Sequence, residues 1–208
     1  MEVSTSFLKE GSYSKYIEGL NNSNTDYIHY DVMDGKFVDN KNLTVKELEK
    51  YIKQSTKKID VHLMVKDPTR YIDMLSLYDI SYITVHREIK NFESMIDKIK
   101  SYGFRVGLAI NPETDIKDVL PYLPKLDLVL VMSVHPGKSG QKFIPNVVEK
   151  VEKLKKEIKL LGLNTKISVD GGINEDNFYL LKDADILVSA TYILNDLDNI
   201  NKIKSAFD

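Results

Sequence analysis

Two rhythms of apolar positions take turns along this chain. Short apolar runs alternate with longer stretches in which apolar residues recur every three or four positions. The first is the pattern of buried strands and the second that of helices packed on one face. Val3 to Leu8 predicts a first strand, and Tyr13, Tyr16, Ile17 and Leu20 space out a helix. After a polar break at 21–26, Tyr27 to Met33 reads as a buried strand that ends in a turn at Asp34-Gly35. Thr44, with Glu47 three residues on, predicts the N-cap of a helix through Ile52. Ile59 to Val65 is a third strand, after which Asp67 caps a helix with Pro68 at its first position. Tyr82 to His86 is a fourth strand, and Phe92, Met95, Ile96 and Ile99 mark a helix ended by Tyr102-Gly103.

The second half repeats the alternation. Arg105 to Ile110 is a strand stopped by Asn111-Pro112, and a short helix over 116–120 ends before Pro121. Leu126 to Ser133 predicts a strand buried on both faces, followed by a loop at Gly137 to Gly140 and a long helix from Val147 to Leu161. Lys166 to Asp170 is a seventh strand, closed by Gly171-Gly172. A helix over 174–181, a strand over 185–189 and a last helix over 200–207 complete the chain. Eight strands alternating with eight helices imply a parallel sheet. Within 208 residues they predict an α/β fold, a (β/α)₈ TIM barrel, as one domain spanning 1–208. A doubly wound open sheet is the alternative, but no G-x-G-x-x-G follows the first strand.

Composition changes this picture little. Lys and Arg number 29 and Asp and Glu 31, which leaves no basic footprint for nucleic acid. Cys is absent, so disulfide and thiolate chemistry are excluded. The first residues carry no apolar core of signal-peptide length, and no run approaches a membrane span. A cytoplasmic protein without membrane or nucleic-acid partners is expected.

In a barrel the chemistry sits at the C-terminal ends of the strands. His29 and Asp31 share a face of the second strand, about 7 Å apart along it. Taken alone, the pair is either metal-capable or a hydrogen-bonded core histidine beside a turn-capping aspartate. His62 on the third strand and Asp170 on the seventh stand at a similar depth. Two imidazoles and two carboxylates at one level suit a divalent metal, with room left for substrate. The turns Gly137 to Gly140, Gly171-Gly172 and Ala190-Thr191 form a second group. Glycine-rich turns and helix N-termini on this side of a barrel bind phosphate. Glycines that merely permit tight turns are the plainer reading. Together the two groups suggest a phosphorylated substrate whose α-proton is abstracted beside a metal and returned to the other face.

The runs that carry these residues are His29-Tyr30-Asp31-Val32-Met33-Asp34-Gly35-Lys36-Phe37-Val38, Asp60-Val61-His62-Leu63-Met64-Val65, Val131 to Gly137, Gly140-Gln141-Lys142-Phe143 and Val169-Asp170-Gly171-Gly172-Ile173. In this order they resemble the signatures of the ribulose-phosphate 3-epimerase family over almost the whole chain. The resemblance implies a barrel of the ribulose-phosphate-binding type. It also implies metal-dependent interconversion of D-ribulose 5-phosphate and D-xylulose 5-phosphate, a step of the pentose phosphate pathway, by inversion at C3.

Carried over residue by residue, the resemblance implies one divalent ion on His29, Asp31, His62 and Asp170. Zn²⁺ is the expected ion, with Mn²⁺, Fe²⁺ or Co²⁺ as alternatives. Asp31 would accept the proton and Asp170 donate it. Ser6, His62, Met33, Met64 and Met132 would contact substrate, and Gly137, Lys138, Ser139, Gly140, Gly171, Gly172, Ala190 and Thr191 would surround the phosphate. Asp34 matches a second, structural aspartate, and His86 with Glu88 matches a supporting pair. A homo-oligomer, dimer or hexamer, is the family-level expectation.

The departures gather at the phosphate end. Pro136-Gly137-Lys138-Ser139-Gly140-Gln141 stands where the family usually has Pro-Gly-Phe-Gly-Gly-Gln, and Ala190-Thr191 where it has Gly-Ser. An acidic or amide residue is common where His135 stands. The same chemistry on a related ketose phosphate such as D-allulose 6-phosphate is therefore the nearest alternative. A metal-dependent decarboxylase would need a lysine beside the aspartates, which no strand end carries. A non-catalytic sugar-phosphate-binding barrel would have no use for the two histidines and two carboxylates.

Overall fold

Eight parallel strands close into a barrel, ordered β1 to β8 around the ring. They are β1 Glu2–Ser6, β2 Tyr27–Met33, β3 Lys58–Met64, β4 Tyr82–His86, β5 Val106–Ile110, β6 Leu128–Met132, β7 Lys166–Asp170 and β8 Ile186–Ser189. The computed structural model describes residues 1–7 and 13–207, so Leu8, assigned above to the first strand, lies outside the described residues. The fold is the (β/α)₈ TIM barrel that the alternation predicts.

Around the barrel run α1 Tyr13–Asn21, α2 Val45–Ile52, α3 Thr69–Leu75, α4 Phe92–Ser101, α5 Val147–Leu160, α6 Thr191–Asn195 and α7 Asn199–Ser205. The capping box of α2 forms as expected: Glu47 N–H donates to Thr44 Oγ1 at 3.3 Å, and Thr44 N–H to Glu47 Oε2 at 2.9 Å. Asp67 accepts from Thr69 N–H at 3.1 Å, although α3 begins one residue later than the sequence suggests.

Two expected helices are 3₁₀ turns instead. Ile116–Asp118 and Leu120–Lys125 replace one short helix, because Pro121 and Pro124 lack the N–H that an α-helix would bond. Of the helix expected over 174–181, only a 3₁₀ turn at Phe178–Leu181 forms. There the Asn174 side chain takes the Asp176 N–H, and the Asn177 side chain folds back to donate to Gly172 O. Such local bonds compete with helix formation. The short α6, not expected from the sequence, begins right after Ala190.

Outward-facing strand residues such as Ile28, Tyr30, Val61, Leu63, Ile83 and Val85 pack with the helices into the main core. Inward-facing residues stack in layers, as strand alternation requires. Tyr27, Tyr82, Leu128 and Ile186 form the apolar floor. Above it the barrel divides. On β1 to β4 most of the inward-facing residues are polar, namely Ser4, Ser6, His29, Asp31, Asp60, His62, Thr84 and His86, with Met33 and Met64 at the strand ends. On β5, β6 and β8, Ala109, Leu130, Met132 and Val188 cluster with Val134. The pairing of Asp31 with His62, and of Met132 with Asp170, brings the mouth-level residues onto one plane.

Candidate active site

The strand register delivers the four expected groups to one point. One ligand atom from each of His29, Asp31, His62 and Asp170 lies within 4.8 Å of the others. His29 Nε2 is 3.3 Å from Asp31 Oδ1 and 3.9 Å from Asp170 Oδ2. His62 Nδ1 is 3.0 Å from Asp31 Oδ1 and 3.8 Å from Asp170 Oδ2. The first three residues are buried, and only Asp170 keeps an edge toward the barrel mouth.

The supporting bonds set the direction of each group. Asp60 Oδ2 lies 2.7 Å from His29 Nδ1, so this ring's hydrogen is occupied on the side away from the cluster. His29 Nε2 is buried and has no hydrogen-bond partner among the described residues. A buried nitrogen without a partner is costly unless something else satisfies it. Ser6 Oγ donates to Asp31 Oδ2 at 2.6 Å, which leaves Oδ1 for the cluster. Two imidazole nitrogens and two carboxylates, with neighbours that orient them, suit a borderline divalent cation. The cluster can hold such an ion.

Charges inside the metal-free cluster are sharply divided. Burial raises the Asp170 carboxyl to about 8, and the nearby Asp31 charge adds to that rise. Burial would raise Asp31 too, but chiefly the charge of His29, 3.3 Å away, holds it well below the usual carboxylate range. Burial disfavours a charge on His29, yet Asp60 and Asp31 keep its pKa well above the ordinary value. His86, wholly buried beside His62, is pushed down to about 4, chiefly by burial. Burial works against the Glu88 charge, but hydrogen bonds from His86, the Asn111 amide and Thr114 bring it to about 2.

Asp31 and Asp170 stand in the wall of a cavity of about 330 Å³ that extends to the turns after β6, β7 and β8. Gly137, Lys138, Ser139, Gly140, Gly171, Gly172, Ala190 and Thr191 all line it, as do Ser6, Met64 and Met132. Met33 is buried but is not part of that lining. Ser133 Oγ donates to Gly171 O at 2.6 Å, Asn177 Nδ2 to Gly172 O at 2.9 Å and Ser189 Oγ to Ile173 O at 2.9 Å. Three successive carbonyls are thus tied back into the protein. In a trans peptide the N–H points opposite the carbonyl, so the amides of Gly172 and Ile173 are turned away from these braces. Gly172 needs to be glycine: its φ is +65°, and a Cβ there would come within 2.6 Å of Phe143 N. Gly137, at φ +106°, sits against Val38, and Asn40 Nδ2 donates to its carbonyl at 2.7 Å.

Several contributors escape a reading of the sequence. Asp60 sits two residues before His62 on the same inward strand face, and its part shows only beside His29, one strand away. Ser133, Asn177 and Ser189 act on backbone carbonyls, and nothing in their spacing signals it. Tyr192 also lines the cavity, with a buried hydroxyl that has no partner among the described residues. His135 lies at the exposed rim, 3.4 Å from Glu113.

Comparison with known proteins decides the family. The model of the ribulose-phosphate 3-epimerase family matches residues 2–194. The chain belongs to the ribulose-phosphate 3-epimerase family. Ribulose-phosphate 3-epimerase of Helicobacter pylori strain J99 is 37% identical over 188 residues, covering 89% of this chain and 86% of that protein. The enzyme of the same name from Buchnera aphidicola is 39% identical over 194 residues, covering 89% and 84%. Among solved structures, Mycobacterium tuberculosis tryptophan synthase superposes with a TM-score of 0.66 over 99% of this chain and 90% of that chain, at 10% identity. That likeness shows the barrel fold alone. The chain is an epimerase, and its buried His–Asp cluster fits the metal site expected of it. No helix among the described residues is long and apolar enough to cross a membrane.

Proposed function

We propose that this epimerase inverts C3 of D-ribulose 5-phosphate to give D-xylulose 5-phosphate. The observation that carries the reading is the placement of the His29–Asp31–His62–Asp170 cluster at one end of a cavity whose other end is built of small-residue turns. A ketose phosphate has the same two ends, with the reacting carbon beside the carbonyl at one and a dianion at the other.

His29 through Nε2, Asp31, His62 through Nδ1 and Asp170 would hold one divalent ion. When bound, the ion supplies Lewis-acid stabilisation of the negative charge that develops on the substrate's oxygens as the C3 proton leaves. Asp31 accepts that proton, and Asp170 delivers one to the opposite face of C3; the roles exchange in the reverse direction. Ser6 keeps Asp31 in place through the bond to Oδ2. Met64 and Met132 add apolar surface to the wall of the cavity, which helps to exclude water. At the far end, the amides of Gly172 and Ile173, the start of α6 beside Ala190 and Thr191, and the Gly137 to Gly140 turn receive the phosphate. Lys138 adds a cation at the rim of that end.

A second reading rests on the phosphate end itself. Lys138, Ser139, Ala190 and Thr191, where the chain departs from the family's usual pattern, all line the cavity. The same inversion on a ketose phosphate one carbon longer, D-allulose 6-phosphate, would use an unchanged proton-transfer end. A substrate panel separates the two. Ribulose 5-phosphate is expected to give the higher kcat/KM by at least about tenfold. A preference for allulose 6-phosphate would transfer the assignment to that substrate, and turnover of neither would remove both. In the same assay a chelator is expected to abolish turnover and Zn²⁺, Mn²⁺, Fe²⁺ or Co²⁺ to restore it. Zn²⁺ is the ion proposed for the N₂O₂ donor set.

A further inference from the structure

His86 is wholly buried at the end of β4, within reach of the cluster but outside it. Its two ring nitrogens are both engaged. Nε2 lies 2.8 Å from His62 Nε2, and Nδ1 lies 3.0 Å from Glu88 Oε2. The other Glu88 oxygen accepts from Asn111 N–H at 2.9 Å and from the Thr114 hydroxyl at 2.5 Å. The three groups form a line from the loop after β5 to His62. Their rings are held in register: those of His62 and His86 meet edge to edge, 27° from coplanar with centroids 4.9 Å apart, and Phe37 covers His86 at 4.6 Å.

Donor and acceptor logic fixes where the hydrogens lie along this line. A carboxylate only accepts, so the hydrogen on His86 sits on Nδ1 and points at Glu88. A neutral His86 then offers a lone pair at Nε2. The contact with His62 is a hydrogen bond only if His62 Nε2 donates. A neutral His62 with its hydrogen on Nε2 has its lone pair on Nδ1, the atom that faces Asp31 and Asp170. Nδ1 and Asp31 Oδ1 are then two acceptors 3.0 Å apart, which repel each other unless a cation binds both.

We propose that Glu88 and His86 are positioning residues that fix the tautomer of His62, so that its Nδ1 lone pair faces the cluster. The proposal rests on the metal reading of that cluster. It explains why the two histidines differ: His29 presents Nε2 because Asp60 occupies its Nδ1, whereas His62 presents Nδ1 because His86 occupies its Nε2. His29 is braced in one step and His62 in two. Glu88→Gln breaks the chain without removing bulk. A glutamine that keeps its oxygen on Asn111 and Thr114 turns its amide donor toward His86, which reverses every hydrogen as far as His62 Nδ1.

The test compares wild type, Glu88→Gln and His86→Phe for zinc affinity, using competition with a chromophoric chelator. Turnover at limiting and at saturating zinc and the thermal midpoint are followed alongside. Glu88→Gln is expected to weaken zinc binding about 10- to 100-fold, with turnover largely recovered at saturating zinc. His86→Phe is expected to do the same if it folds, and Glu88→Gln carries the test if it does not. In the zinc-loaded wild type, nitrogen-15 NMR of the rings is expected to show the His62 hydrogen on Nε2 and the His86 hydrogen on Nδ1. Variants that lower the thermal midpoint yet bind zinc within about threefold of wild type would reduce the pair to packing and overturn the proposal. So would a hydrogen on His62 Nδ1. A wild type that takes up no divalent ion would overturn the metal reading and this proposal with it, whereas normal zinc uptake by the variants overturns this proposal alone.

Discussion

The two ends of the cavity are made of different material. The proton-transfer end consists of side chains on β2, β3 and β7, three of them held by a second side chain: His29 by Asp60, His62 by His86 and Asp31 by Ser6. The phosphate end consists of backbone, with its carbonyls tied down by Ser133, Asn177 and Ser189. Chemistry done by side chains depends on residue identity, whereas binding done by amides depends on conformation. This accounts for the position of the sequence departures. On the proposed reading the peptide groups of the turn receive the phosphate, so the exposed Ser139 side chain is free to change. Gly172 is not free, because its φ and its neighbours exclude a Cβ.

Substitutions can break this contrast, and the largest effect belongs to the side-chain end. Asp170→Asn is expected to lower kcat by about 10²–10⁴-fold or more, with the fold intact by circular dichroism. Retained turnover would remove Asp170 from proton transfer. At the backbone end, Gly172→Ala is expected to raise KM for the ketose phosphate about 10- to 100-fold, since the strain of a forced positive φ and a backbone clash is worth about 1–3 kcal/mol. Zinc affinity should be unchanged in that variant; a joint loss would mean that the two ends are not separable.

Protonation gives a comparable effect that is confined to the side-chain end. In the metal-free protein Asp170 titrates at about 8, raised by burial and by Asp31. The proton that Asp170 holds below that value is, on the proposed reading, the one it delivers to C3, so ligation through one oxygen leaves it on the other. His29, whose pKa is kept well above the ordinary value by Asp60 and Asp31, must instead lose its Nε2 proton to ligate. Zinc binding at pH 7 is therefore expected to release a proton from His29, and affinity to rise by about tenfold per pH unit for each proton displaced. Calorimetry in buffers of different ionisation enthalpy measures the release, and an affinity flat between pH 6 and 8 would contradict it. The smallest effect is expected from Ser139→Ala, a change in KM of less than about threefold at an exposed turn position.

How much of this was legible follows from the same contrast. Most of the eight strands are apolar runs, so the alternation and the barrel it implies could be read directly. His29, Asp31, His62 and Asp170 stand at strand ends, where period-two alternation fixes which way they point. Asp60 shares the inward face with His62 but shows its purpose only beside His29, one strand away. The helix expected over 174–181 failed because apolar spacing does not register that Asn174 and Asn177 spend their side chains on nearby backbone. The braces behind Gly171 to Ile173 join residues 16 to 38 positions apart in the case of Ser189 and Ser133, and such pairs carry no local pattern.

The central claim is that a proton leaves C3 to one carboxylate and a different one arrives from the other. Incubating the zinc-loaded protein with D-ribulose 5-phosphate in D₂O and following C3 by NMR tests it directly. The expected result is D-xylulose 5-phosphate carrying solvent deuterium at C3, formed by wild type and not by Asp170→Asn. Product that keeps its original C3 hydrogen, or undiminished inversion by the variant, would contradict it.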